Sequence, residues 1–184
     1  MKMYRPLGRV STLLTLILAA SPAVLKAQTF AASGTTTLSV SVSAEAALSV
    51  STSTTSLTAS GAIFSPFTGT TNLTYKVRTT KVGGSGTITT QVTTDFTGAG
   101  PSVATPPSSG DALTYTCTVA SPGTACSSAQ TASTTAATSV GTFGANAHSA
   151  KAGNTASLAW SLTNDPLYET GTYTATVTFT ISAL

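Results

Sequence analysis

Thr172-Tyr173-Thr174-Ala175-Thr176-Val177-Thr178-Phe179-Thr180-Ile181-Ser182 decides the fold class. Tyr173, Ala175, Val177, Phe179 and Ile181 share one parity, and hydroxyl residues fill the other. A strand turns successive side chains to opposite faces, so this stretch carries one apolar face and one hydroxyl face. A helix would scatter the same residues around its circumference, and β-branched threonines suit a pleated surface. Val177, Phe179 and Ile181 are therefore expected in a core.

Working back along the chain, the alternation recurs. Ala156, Leu158, Trp160 and Leu162 share a parity, which places Trp160 in the core, and Asn164-Asp165-Pro166 then turns the chain. Leu113, Tyr115, Cys117 and Val119 form another such strand. Leu73, Tyr75 and Val77 alternate with polar residues, and Ile88 to Thr94 do the same after Lys81-Val82-Gly83-Gly84-Ser85-Gly86. Glycines permit the backbone angles of tight connections, so these two runs predict a hairpin. Leu38 to Val50 alternates as one long strand, with a bend expected at Ala44–Ala47. A short strand is expected at Ser56–Ala59, and Gly61–Phe67 reads as an irregular connection with buried aromatics. Residues 97–110 read as a surface loop. Residues 127–154, rich in Ser, Thr and Ala, offer only Val140 and Phe143 as large anchors, with a weak strand near Ala129–Ala136. The sum is an all-β chain of roughly seven to nine strands, whose natural solution is a two-sheet antiparallel sandwich. A membrane barrel would need aromatic girdles at both interfaces, which 7% aromatics, mostly one per strand, do not supply.

The N-terminus has a different character. Lys2, Arg5 and Arg9 precede the apolar run Leu13–Ala20, and small residues follow. This is the pattern of a secretory signal peptide over residues 1–27, with cleavage after Ala27 preferred and Ala23 or Ala31 as alternatives. Pro22 breaks the run too early for a membrane span. Residues 28–184 then form a single domain, exported to the periplasm, the cell surface or the medium.

Processing also changes the charge. The +3 of the whole chain includes Lys2, Arg5, Arg9 and Lys26. Without them Lys76, Arg78, Lys81 and Lys151 face Glu45, Asp95, Asp111, Asp165 and Glu169, a net −1. Nucleic-acid binding, which needs a basic footprint, loses its support. Lys76, Arg78 and Lys81 read as a solvated strand face, with a binding patch as the alternative. Charged residues are only 7% of the chain, against roughly 25% in average proteins. Serine and threonine replace them, as suits an extracellular protein or one packed into an assembly.

Cys117 and Cys126 flank Thr-Val-Ala-Ser-Pro-Gly-Thr-Ala, and in an exported chain they are expected to form a disulfide closing a hairpin or wide loop. Chemistry is otherwise sparse. His148 is the sole histidine, no nucleophile elbow surrounds a serine, and the few acids do not suggest a convergent pair. No catalytic, metal or cofactor residues are assigned, and the protein reads as non-enzymatic.

Glu169-Thr170-Gly171-Thr172-Tyr173-Thr174-Ala175 resembles the Asp-x-Gly-x-Tyr-x-Cys tyrosine corner of immunoglobulin-like domains, with Gly171 and Tyr173 at the matching positions. The resemblance implies an immunoglobulin-like sandwich in which the Tyr173 hydroxyl bonds backbone at a sheet corner. In that family a further strand follows, whereas this sequence ends with the motif strand. The terminal Gly171-x-Tyr173-x-x-x-Val177-x-Phe179-x-Ile181 is in this respect similar to the end of spore-coat-U-like and related secreted fimbrial subunits. That similarity covers about the last twenty residues, and it implies a surface structure in which a neighbour supplies a missing strand. Leu38–Val50 has the alternating anchors of such a donor; residues 28–37 do not. Two functions follow: a coat or fimbria-like structural subunit that associates with itself or with other surface proteins, or a monomeric module binding carbohydrate or mediating adhesion through loops 97–110 and 144–154.

Overall fold

The computed structural model describes residues 33–184, so the signal peptide and its cleavage site lie outside the described residues. Ten strands form: β1 (Glu45–Val50), β2 (Thr58–Ala59), β3 (Phe67–Arg78), β4 (Gly86–Thr94), β5 (Thr114–Val119), β6 (Thr124–Ala125), β7 (Gln130–Thr131), β8 (Thr138–Phe143), β9 (Asn154–Leu162) and β10 (Thr176–Ala183). They build two antiparallel sheets. One has the order β1-β3-β9-β5-β7, with β2 also on β3; the other has the order β10-β4-β8-β6. This is the expected all-β, two-sheet sandwich. Among the described residues no helix is long and apolar enough to cross a membrane.

The period-two pattern builds the core directly. Leu73, Tyr75 and Val77 of β3 and Ala156, Leu158, Trp160 and Leu162 of β9 point inward from one sheet; Ile88 and Val92 of β4 and Val140 and Phe143 of β8 meet them from the other. Tyr115 and Trp160 lie with ring centroids 5.0 Å apart, and Tyr75 and Phe143 at 5.2 Å. Such tilted pairs add to the area they bury.

Several local expectations change. The Leu73–Thr94 hairpin does not form: β3 pairs with β1 and β9, while β4 pairs with β10 and β8 in the opposite sheet. Both edges of β3 are already occupied, so residues 79–85 arch between the sheets instead. Thr79 anchors the arch, donating to Gly144 O at 2.7 Å and accepting from Ala147 N at 2.8 Å, and Gly83 takes a φ of 69°. The long strand from Leu38 shrinks to β1, and no strand covers residues 33–44. The terminal strand starts at Thr176 rather than Thr172. The short strand at Ser56–Ala59 reduces to β2, and the one near 129–136 to β7. β8, unrecognised in the sequence, lies at the centre of its sheet with Gly141 midway along it. Phe64 is exposed rather than buried, and only Phe67 of that connection packs on the core.

Candidate functional site

The two sheets are unequal at their margins. On one side the sandwich ends in the two-residue strands β6 and β7, which offer almost no edge to pair with. On the other it ends in β1, six residues long, and β10, eight residues long, which pack beside each other. Among the described residues each pairs on one side only, β1 with β3 and β10 with β4. Both therefore present a row of N–H and C=O groups without a ladder partner, a template for another strand.

The side chains along this seam are also incompletely covered. Val177, Phe179, Ile181 and Ala183 of β10 touch the core but are only half-buried, as are Ala46 and Leu48 of β1. Val50 is exposed. By contrast, Leu73, Tyr75 and Val77 of β3, Ile88 and Val92 of β4 and Leu158, Trp160 and Leu162 of β9 are buried. The expectation of a core role for Val177, Phe179 and Ile181 thus meets a more specific arrangement: they form the uncovered lip of the core. Trp160 is buried on β9, and its indole N–H has a partner.

Directly before β1 lies a segment of the opposite character. Leu38, Val40 and Val42 are 92%, 87% and 62% exposed, and their hydroxyl neighbours are exposed as well. An alternating apolar segment outside any strand thus precedes β1, one margin of the open seam.

The corner ahead of β10 fixes how that strand enters. Tyr173 donates its hydroxyl to Glu169 O at 2.8 Å, with Ala99 O at 3.2 Å as a second acceptor, and Glu169 N bonds Ala99 O at 2.9 Å. The ring rests on Gly100, where a Cβ would overlap it; at Gly171 a Cβ would sit 3.5 Å away, in ordinary contact. Gly100 is thus the glycine this corner depends on. Sequence reasoning passed over it because it lies in a loop more than seventy residues away.

Loop 97–110 is held by Asp95 at the end of β4. Its carboxylate accepts from Phe96 N and Val103 N at 2.8 Å, Ala104 N at 2.9 Å and the Ser102 hydroxyl at 2.8 Å. Burial works against ionisation of Asp95, but these donors together outweigh it and keep the carboxyl below its ordinary range. Asp111 has the opposite setting. It is 3% exposed, its Oδ2 has no hydrogen-bond partner, and burial followed by the neighbouring Asp165 pushes its carboxyl up. Tyr168 next to it is pushed up to about 12, by burial and then by the Asp111 charge.

Cys117 and Cys126 form a disulfide with Cα atoms 5.6 Å apart. Cys117 lies on β5 of one sheet, and Cys126 directly follows β6 of the other. The bond consequently ties the two layers together, a role beyond closing a turn. Compared with known protein families, curated proteins and solved structures, the chain matches none.

Proposed function

We propose that this chain is an exported, non-catalytic structural subunit that assembles through strand edges into a surface coat or fimbria-like array. One observation carries the reading: the only long open edges among the described residues, β1 and β10, flank a half-covered apolar seam, and the chain holds an unpaired alternating apolar segment, Leu38–Val42, of the kind that would cover it. Segment Leu38–Val42 of one copy adds to the β10 edge of the next, contributing ladder hydrogen bonds and inserting its apolar side chains over Val177, Phe179 and Ile181. Each large side chain so buried contributes about 1.5–3 kcal/mol. The disulfide fits an oxidising compartment, and the hydroxyl-rich composition fits a chain spending its life among copies of itself.

The triple substitution Leu38→Ser/Val40→Ser/Val42→Ser in the exported protein tests this. Size-exclusion chromatography and electron microscopy are expected to show monomers where the wild type forms multimers or filaments. Circular dichroism should be unchanged, because these side chains contribute nothing to their own core. Multimers identical to those of the wild type would overturn the reading.

A further inference from the structure

The few charges of the described chain are sorted by position. All four cations lie at one end of the sandwich: Lys76 and Arg78 at the end of β3, Lys81 in the arch 79–85, and Lys151 just before β9. His148 joins them through a β-bridge to Arg78, and Glu45 is the one acid there, bonded to Arg78 at 3.0 Å. Lys76, Arg78, His148 and Lys151 line a single groove of about 380 Å³. The other four acids sit at the far end: Asp95 after β4, Asp111 before β5, Asp165 after β9 and Glu169 ahead of β10. β3 alone, twelve residues long at about 3.3 Å each, spans on the order of 36 Å. That is several Debye lengths at physiological ionic strength, so the poles act separately on whatever approaches them.

We infer that the basic pole of one copy docks on the acidic pole of the next, giving the assembly a single head-to-tail polarity. The inference rests on the strand-edge reading above for its geometry. Segment Leu38–Val42 joins its own body at Glu45, on the basic pole, and Ser43 O already accepts from Arg78 there at 2.7 Å. Only Ser43 and Ala44 separate Val42 from Glu45, so the neighbour's edge must abut that pole. Antiparallel addition to β10, the more stable pairing, sets Val42 beside the Thr176 end of the neighbour's strand. That end is the acidic pole. Parallel addition would bring basic pole against basic pole, and like-charge contact of this kind selects against the wrong orientation.

The test follows self-association of the full exported chain by sedimentation and light scattering in 10 mM and 500 mM salt. Lys76→Glu/Lys151→Glu is expected to slow assembly about tenfold or more at low salt and to change little at high salt. Glu169→Lys, at an exposed side chain, should slow it less. Wild-type rates for the double reversal at low salt would overturn the inference. Loss of retention on a sulfated polysaccharide with assembly unaffected would overturn it too, marking the groove as an anion site. The Leu38→Ser/Val40→Ser/Val42→Ser chain separates the two proposals. Weak, salt-sensitive self-association that persists in it supports the pole contact even if strand addition is wrong. Salt-insensitive behaviour of both this chain and the wild type refutes the pole contact.

Discussion

Trp160 donates its indole N–H to the hydroxyl of Thr71 at 2.9 Å, inside the sheet that both residues help to build. Thr71 Oγ1 also lies 2.7 Å from Thr55 Oγ1, so the single tryptophan is tied through one buried hydroxyl to the segment ahead of β2. Two substitutions separate packing from hydrogen bonding here. Trp160→Ala is expected to cost about 3–5 kcal/mol, as large-to-small core changes do. Thr71→Val keeps the volume but leaves a buried N–H unpaired, at about 1–3 kcal/mol. Urea denaturation measures both, and an unchanged midpoint for Thr71→Val would show that the indole finds another acceptor.

The disulfide joins the two layers as well as closing its short loop. Intact mass of the exported protein should fall two units below that of the dithiol. Replacing both Cys117 and Cys126 with serine should cost roughly 2–3 kcal/mol on the loop-entropy account. Recovery of two free thiols from native protein would contradict the structure.

At the corner, Gly100→Ala and Gly171→Ala should behave differently although both glycines contact Tyr173. The Gly100 substitution drives a methyl into the ring and should cost about 1–3 kcal/mol. The Gly171 substitution should stay within about 1 kcal/mol. Thermal melts of the two variants decide, and equal losses would mean that the Tyr173 ring is not seated on Gly100.

Asp95 and Asp111 predict a stability maximum in mildly acid solution. The folded pKa of Asp111 is raised, so its ionisation opposes folding at neutral pH, and stability grows as the pH falls through that pKa. The folded pKa of Asp95 is lowered, so its contribution is complete above the unfolded value and is lost as the pH falls below about 4. Asp111→Asn should abolish the rise, and Asp95→Asn should reduce the fall, to which Asp165, held low by its hydrogen bonds to Ser108 and Leu167 N, also contributes, in melting temperatures measured between pH 7 and pH 3. A profile that declines steadily from pH 7 in the wild type would contradict the Asp111 assignment.

Much of the architecture was legible because strand periodicity is local. Parity alone placed Leu73, Tyr75, Leu158 and Trp160 inward, and two cysteines around Pro122-Gly123 announced their bond. The open edge was only half legible. Leu38–Val42 continues the pattern of β1 without a break, so nothing local distinguishes its unpaired part from its paired part. β8 was missed because its centre, Val140-Gly141, sets a bulge-prone glycine beside its anchor, and the register slips against β4 nearby. Gly100 under Tyr173 and the gathering of cations at one pole join residues far apart in sequence, which no window of sequence contains.

By itself the sequence determined which face of each strand is apolar, and hence that two sheets must close on each other, because side-chain direction in a strand depends only on parity. It could not determine which sheet each strand enters, since an alternating strand fits equally well in either layer. That assignment was made by tertiary pairing: β1 and β9 occupy both edges of β3, which sends β4 across to the opposite sheet beside β10. The same allocation left β1 and β10 as the long unpaired margins, with the cations at one end of the sandwich and most of the acids at the other.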